Sequence, residues 1–461
     1  MKDKVDWRPS RSIRIGLLGL LLPLTLSSTA QTPLNWQPAA KPAPAARSAS
    51  PAQPLAYRTN LADQRVLPRA QGFDVAAFEA MAQSLTVGQR VPGMAMAIVQ
   101  NGRVLSARGY GVTDVSAPQA VDGHTVFRLA SLSKAFAGTM TGLLVNDGAL
   151  RWDSKVHDYV PGFQLSDPMA TRRVTVADLL SHRVGLQSHN AYDKDIEANV
   201  DYYGVSQKLA YAPLSCAPGQ CYNYQNVAFS LVGDVVFAAT GSFYDQAVDR
   251  RIFKPLGMND ASIGLTGIES SARWARPHVR SRNGWVSLMP KPTYYRLPPA
   301  AGVNASASDM AQWLIAQTGH RPDVLPAPLL ATLQAPIIAT PGEVRSGWRR
   351  ERVNSASYAL GWRVFDYAGR QVVFHAGAVQ GYRGLMALVP ERDLGIAILW
   401  NSDSSLPSGL LPTILDRAMG LPAQQWLDTP PIGSDLLLVE SSESSNDDSG
   451  TSATKAAAGP E

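Results

Sequence analysis

Cysteine is nearly absent: two in 461 residues, too few for a disulfide-built miniprotein or for a zinc module made of several thiolates. The seven histidines are scattered, with no His-Glu-x-x-His, so no metal site is indicated. Gly-x-Ser-x-Gly is missing, which argues against a nucleophile elbow of the α/β-hydrolase kind. Gly-x-x-x-x-Gly-Lys-Ser/Thr is missing as well, and with it the usual loop of a nucleotide-driven enzyme. Charged residues make up only 17% of the chain against 45% hydrophobic. That balance is too apolar for a disordered protein and supports a large core.

The formal charge is +5, which would suit a nucleic-acid or anionic-membrane partner if it lay within the folded part. Much of it lies instead before the folded part. Residues 1–30 place Lys2, Lys4, Arg8, Arg11 and Arg14 before an apolar run at 16–26 and then Ser28-Thr29-Ala30, the order of a secretory signal cleaved after Ala30. This leader holds +3 of the total, so the cleaved chain carries +2 and no nucleic-acid partner is expected. The apolar run is well short of the ~20 residues that span a bilayer. No cysteine follows it to carry a lipid, and no stable membrane span is expected after cleavage. The expected location is the periplasm or the exterior. Residues 31–70 are rich in Pro and Ala and read as an extended spacer. Residues 430–461 are polar and acidic and read as a disordered tail. Between them, residues 71–425 form one domain-sized stretch without internal repeats.

Residues 94–99 are an unbroken apolar run, followed by Asn101-Gly102 and a second strand-like stretch at 104–110. An Asn-Gly pair between two such runs is the strongest short-range hairpin signal in the chain. Far downstream, stretches at 360–366 and 371–374 flank Ala368-Gly369, and those at 385–389 and 395–400 flank a turn at 390–393. Hairpins near both ends predict one antiparallel sheet assembled from the N- and C-terminal thirds. In between, Leu132, Phe136, Met140, Leu143 and Leu144 take helical spacing over 131–146, and similar patterns occupy 175–181, 227–240 and 307–316. The expected fold class is α+β: an antiparallel sheet flanked by helices, with a mainly helical inserted subdomain.

Ser131-Leu132-Ser133-Lys134 opens the clearest of these helices. Three residues apart, Ser131 and Lys134 share a helical face, so the lysine can perturb the serine hydroxyl. The helix start also favours a developing negative charge. Ser-x-x-Lys arises by chance as well, as Ser452-Ala453-Thr454-Lys455 in the acidic tail illustrates. Two more elements supply context. Tyr224-Gln225-Asn226 starts another helical pattern and offers a phenol and an amide two residues apart; a tyrosine beside a lysine can accept a serine's proton, although a structural tyrosine is the commoner use. His375-Ala376-Gly377 ends a predicted strand, where a glycine lets a substrate backbone come close. A lone histidine is otherwise more often structural.

In this order and on these elements, the three motifs resemble the serine β-lactamase and penicillin-binding protein superfamily, specifically its class C-like branch. Supporting stretches are Val126-Phe-Arg-Leu129 before the serine, Asp178-Leu-Leu-Ser-His182 with Gly185-Leu186, Ala301-Gly-Val-Asn304 and Gly377-Ala-Val-Gln-Gly-Tyr-Arg383. The resemblance runs from about residue 72 to 421. It implies a β-lactamase/transpeptidase-like fold and an exported serine hydrolase without a cofactor, in which Ser131 forms an acyl-enzyme that water hydrolyses. Tyr224 would take the serine proton, Lys134 would hold that network in its charge state, and Asn226 would bond a substrate amide. The backbone N–H groups of Ser131 and Ala378 would form the oxyanion hole. His375-Ala376 stands where class C enzymes have Lys-Thr, which hold a substrate carboxylate. His-Thr-Gly is a pattern of some D-alanyl-D-alanine peptidases, and Trp-Gly-Gly of family VIII esterases. Arg383, six residues after Gly377, is a candidate for the missing positive charge.

The expected substrate is a β-lactam or a D-amino-acid peptide of the cell wall. The rival is a family VIII-like carboxylesterase using the same Ser131, Lys134 and Tyr224 on short acyl esters. A non-catalytic wall-binding scaffold is the alternative of another class, and the intact Ser, Lys, Tyr and Asn argue against it. Cys216 and Cys221 flank Ala217-Pro218-Gly219 just before Tyr224. In an oxidising compartment they can close a small disulfide ring that fixes this turn; the alternative is two buried thiols.

Overall fold

Both residues of the Asn101-Gly102 turn adopt left-handed backbone, with φ of +51° and +68°. A two-residue turn of this kind matches the twist of the strands it joins. Ala368-Gly369 repeats the geometry at +49° and +83°. These turns sit in a computed structural model that describes residues 67–427 except 69 and 71. The expected signal at 1–30, nearly all of the expected spacer at 31–70 and the expected tail at 430–461 lie outside the described residues.

Among the described residues, eight strands form the main sheet: β1 Gly93–Gln100, β2 Arg103–Gly111, β3 Ile338–Ala339, β4 Val353–Tyr358, β5 Arg363–Tyr367, β6 Arg370–Val379, β7 Tyr382–Val389 and β8 Leu394–Trp400. Their spatial order is β2-β1-β8-β7-β6-β5-β4-β3, and neighbours run antiparallel. The N-terminal hairpin joins the C-terminal meander through β1 and β8, in register from Met94↔Trp400 to Gln100↔Leu394. The expectation of an α+β protein whose sheet is built from both ends is borne out.

Six helices matter for the site or its support: α1 Val75–Thr86, α2 Ser133–Asn146, α3 Val176–Leu180, α4 Asn226–Thr240, α5 Ala307–Ile315 and α6 Leu410–Met419. Reciprocal capping boxes start α3 (Thr175 and Asp178) and α5 (Ser306 and Asp309), each satisfying two backbone donors that a helix start leaves open. Gly241, at φ +69°, ends α4.

Strand parity divides the core. Ala95, Ala97 and Val99 of β1 face the helical insert, packing into the cluster that holds Phe136 of α2, Val232 of α4 and Trp313 of α5. Met94, Met96 and Ile98 face the other way, toward Phe78 of α1 and Leu411 and Ile414 of α6. Burial on both faces explains why β1 reads as a continuous apolar run instead of an alternating one. Each fully buried large apolar side chain contributes about 1.5–3 kcal/mol. A charge introduced at Ile98 would place an ion in the second cluster and break this packing. The candidate chemical groups gather where the helical insert meets the β6 region of the sheet.

Candidate active site

Ser131 lies in a tight turn over Ala130–Leu132 that leads directly into α2. Ala130 adopts φ +48°, a left-handed conformation that costs a non-glycine residue about 1–3 kcal/mol. One helical turn later, Lys134 is fully buried, and its Nζ donates to Ser131 Oγ at 3.1 Å, Asn226 Oδ1 at 2.6 Å and the Ala300 carbonyl at 3.2 Å. Three acceptors for one amino group match the three protons of an ammonium. The side chain of Asn226, at the start of α4, completes this set by donating to Asp193 Oδ2 at 2.7 Å and Asn190 Oδ1 at 3.2 Å. Its Nδ2 hydrogens are thus directed at protein partners, whereas the resemblance had suggested a substrate amide.

Tyr224 is buried with its ring 4.5 Å from Lys134 Nζ and 5.3 Å from the Arg363 guanidinium carbon. The His182 ring lies against it, centroids 4.3 Å apart. His182 follows α3 in left-handed backbone, φ +56°. The Gln225 N–H donates to His182 Nδ1 at 3.1 Å. A backbone N–H can only donate, so Nδ1 is the bare nitrogen and Nε2 carries the hydrogen. Nε2–H then faces Tyr358 Oη at 3.2 Å, and Tyr358 Oη lies 3.0 Å from His375 Nε2. His375 Nδ1 in turn lies 2.7 Å from the Ala376 carbonyl, which can only accept. The bonds therefore run in one direction: Gln225 N–H to His182, His182 to Tyr358, Tyr358 to His375, and His375 to Ala376.

Both imidazoles are held neutral. Burial, with Lys134 and Arg363 adding repulsion, lowers His182 well below the usual histidine range. Burial, then Arg363 and Lys134, do the same for His375. As placed, His375 has both ring nitrogens engaged by protein and presents no positive charge. Behind it, Arg363 Nη2 donates to Glu343 Oε1 at 3.2 Å, and Arg349 Nη1 to Glu343 Oε2 at 2.8 Å. Burial raises the Glu343 carboxyl, but the two arginines outweigh it and hold the group below its ordinary value.

Gly377 is where β6 meets the nucleophile turn. A Cβ there would lie 2.3 Å from the Leu129 carbonyl oxygen and 3.2 Å from both the Ser131 and Leu132 nitrogens. Only a residue without a side chain permits this approach, and Ala378 follows it along the strand. Arg383 requires a correction. It pairs with Ala378 on one side and Trp400 on the other, opposite in parity to Gly377 and Gly384. A Cβ on Gly384 would meet Leu132 Cδ1 at 2.9 Å, so that parity faces Ser131's turn and Arg383 faces away. Its guanidinium donates to the Val379 and Tyr382 carbonyls at 2.7 and 3.0 Å and pairs with Asp403 at 3.5 Å. It does not supply positive charge beside Ser131.

Cys216 and Cys221 form a disulfide with Cα atoms 6.2 Å apart. The loop they close is tied to the segment after α3 by Ser215 N–H to Gly185 O at 2.9 Å, Gly219 N–H to Arg183 O at 2.8 Å and Asn223 N–H to His182 O at 3.0 Å. The turn before Tyr224 is thereby joined to the backbone of His182. Sequence reasoning missed Asp193, Tyr358, Arg363 and Glu343. None has a local signal, because their partners lie on other elements. His182 stood within the Asp178–His182 stretch without an assigned role.

The family model described as Beta-lactamase matches residues 76–418. Unguisins hydrolase ungD' of Aspergillus campestris is 26% identical over 335 residues, which are 70% of this chain and 61% of that protein. The chain thus spans about six tenths of that relative's length. Among solved structures, the octameric penicillin-binding protein homologue from Pyrococcus abyssi matches with a TM-score of 0.68 at 23% identity, over 77% of this chain and 79% of that one. The D-amino acid amidase from Ochrobactrum anthropi SV3, complexed with L-phenylalanine, matches with a TM-score of 0.60 at 20% identity, over 75% of this chain and 98% of that one. Identities this low establish the common fold.

Proposed function

This chain belongs to the beta-lactamase family of serine hydrolases, and from that premise we propose that it is an exported enzyme of the class C-like branch, acylated on Ser131 by an amide bond of a β-lactam or a D-amino-acid compound. The observation that carries the reading is the buried Lys134 ammonium 3.1 Å from Ser131 Oγ. In the proposed reaction, Tyr224 acts as its phenolate, stabilised by the Lys134 ammonium beside its ring; Oγ attacks the substrate carbonyl while its proton passes to the phenolate oxygen, leaving Tyr224 neutral and the negative charge on the carbonyl oxygen. The carbonyl oxygen becomes an oxyanion facing the N–H groups of Ser131 and Ala378; single donors of this kind are worth about 3 kcal/mol. As the C–N bond breaks, Tyr224 returns the proton to the leaving nitrogen. Water then repeats the sequence on the acyl ester and releases the acid and free Ser131. The close approach of Gly377 to the Ser131 turn supports the Ala378 part of this reading.

A specific observation favours substrates without a free carboxylate. His375 is neutral and engaged by protein, and Arg383 faces the opposite side of the sheet. A D-amino-acid amide or a short acyl ester needs no cation at this place, whereas a carboxylate-bearing β-lactam or D-Ala-D-Ala peptide benefits from one. The test is a panel of nitrocefin, a D-Ala-D-Ala peptide, the same peptide as its C-terminal amide, and a p-nitrophenyl ester, each with wild type and Ser131→Ala. Mass spectrometry would look for the Ser131 adduct. Turnover by Ser131→Ala would sink the acyl-enzyme, and a preference for the free acid over its amide would sink the carboxylate-free reading.

A further inference from the structure

An asparagine side chain can present either end to a neighbour. At Asn226 that choice has a consequence, because the oxygen must face Lys134 to provide one of the three acceptors of its ammonium. Asp193 makes the choice. Its ionised carboxylate can only accept, and Oδ2 lies 2.7 Å from Asn226 Nδ2, so the NH2 end is drawn away from the lysine. Asn190 Oδ1 takes the same nitrogen at 3.2 Å. Asp193 is itself held. Its Oδ2 accepts from Tyr294 Oη at 3.1 Å, and its N–H donates to the Asn190 carbonyl at 3.0 Å. The segment that delivers it contains two non-glycine residues in left-handed backbone, Asn190 at φ +47° and Tyr192 at φ +67°. Such conformations persist only where surrounding contacts impose them.

We infer that Asp193 is a positioning residue and the remote counter-ion of the nucleophile's lysine: through Asn226 it fixes the amide oxygen on Lys134 and keeps the ammonium protonated beside Ser131. A buried cation without a compensating anion is strongly disfavoured, and Asp193, itself only 7% exposed, supplies the anion across one amide. Also facing Lys134 are His182 and His375, which burial holds neutral, Arg363, a like charge directed to Glu343, and the ring of Tyr224. Around Asp193, Tyr294 also bonds Glu197 at 2.9 Å, and Lys194 and Asp195 follow on the same short helix. The inference rests on the acyl-enzyme reading proposed above.

The experiment measures the rate of Ser131 acylation against pH for the full-length wild type, Asp193→Asn and Asp193→Ala, using a p-nitrophenyl ester burst and a fluorescent penicillin. Asp193→Asn keeps shape and an acceptor oxygen but removes the charge. Lys134 then loses its proton more readily, and the alkaline limb of the rate profile moves to lower pH by about one unit. Asp193→Ala also frees the Asn226 amide, and acylation falls about 100-fold with KM changed by less than about threefold. The inference is overturned if the alkaline limb stays in place in Asp193→Asn, or if the loss in Asp193→Ala appears in KM alone. If Asp193→Ala does not fold, the limb in Asp193→Asn still decides. A wild type whose Ser131 is never acylated would instead overturn the acyl-enzyme reading on which the inference stands.

Discussion

Replacing Gly377 with alanine tests the geometry of the site without touching a chemical group. The added Cβ would lie 2.3 Å from the Leu129 carbonyl oxygen, where an ordinary carbon–oxygen contact is about 3.3 Å. Strand and turn must therefore separate by about 1 Å. The opposing atoms are backbone, so no rotamer change relieves the clash. Strand β6 is also pinned by β7 in register from Val373↔Leu388 to Val379↔Tyr382, and by β5 on its other side. Overpacking of this kind costs about 1–3 kcal/mol of stability. Moving β6 by about 1 Å takes the Ala378 N–H away from the developing oxyanion, a misplacement worth about 100-fold in rate, or about 2.7 kcal/mol of barrier. Single-turnover acylation of Ser131, followed by intact mass, reads the rate, and urea unfolding reads the stability. Gly162→Ala is the control. Its Cβ would meet nothing within 4 Å and its φ is not positive, so it should be neutral or stabilising by about 0.4–1 kcal/mol. Acylation of Gly377→Ala within threefold of wild type, at an unchanged urea midpoint, would refute the reasoning.

Glu343→Gln leaves Arg349 and Arg363 without their shared anion. Since the glutamate side chain is 13% exposed, a loss near the lower end of the usual range for broken buried pairs, about 3 kcal/mol, is expected in urea unfolding; no change would refute the network's role. Acid should destabilise the protein through His182 and His375. Their folded pKa values lie below the unfolded value near 6.5, so below about pH 6.5 the unfolded chain binds more protons and each histidine removes up to about 1.4 kcal/mol per pH unit, about half of that at pH 6.5. Asp309, pushed up to about 6 by burial, acts in the opposite sense at lower pH. The histidine slope is therefore read between about pH 6.5 and 6, and a slope undiminished in His182→Gln would contradict the assignment. Arg383→Ala should cost about 1–3 kcal/mol through the lost carbonyl bonds while leaving the ratio of KM for free-acid and amide substrates unchanged. A selective rise in KM for the free acid would restore Arg383 to the site.

Local rules determined a large part of this protein from the sequence. The Asn101-Gly102 turn between apolar runs specified the first hairpin, because that dipeptide tolerates the left-handed backbone the turn requires. Ser131 and Lys134 were paired by the helical repeat alone, since residues three apart on a helix are neighbours whatever surrounds them. Even the parity of Arg383 had a signal: Gln380-Gly381 is a two-residue turn between strands, which sets Ala378 opposite Arg383 and sends that side chain to the face away from Gly377.

Tertiary structure alone decided which groups surround the pair. Asp193 reaches Asn226 across 33 residues, and Tyr358 reaches His182 across 176. No periodicity encodes such contacts, because they depend on how the helical insert docks on the sheet. The same docking set the charge states. His375 reads in sequence as a substitute for a cationic lysine, yet burial between Arg363 and Lys134 keeps it neutral. A motif specifies which groups are available; their protonation follows from the solvent that packing removes and the charges that packing brings near.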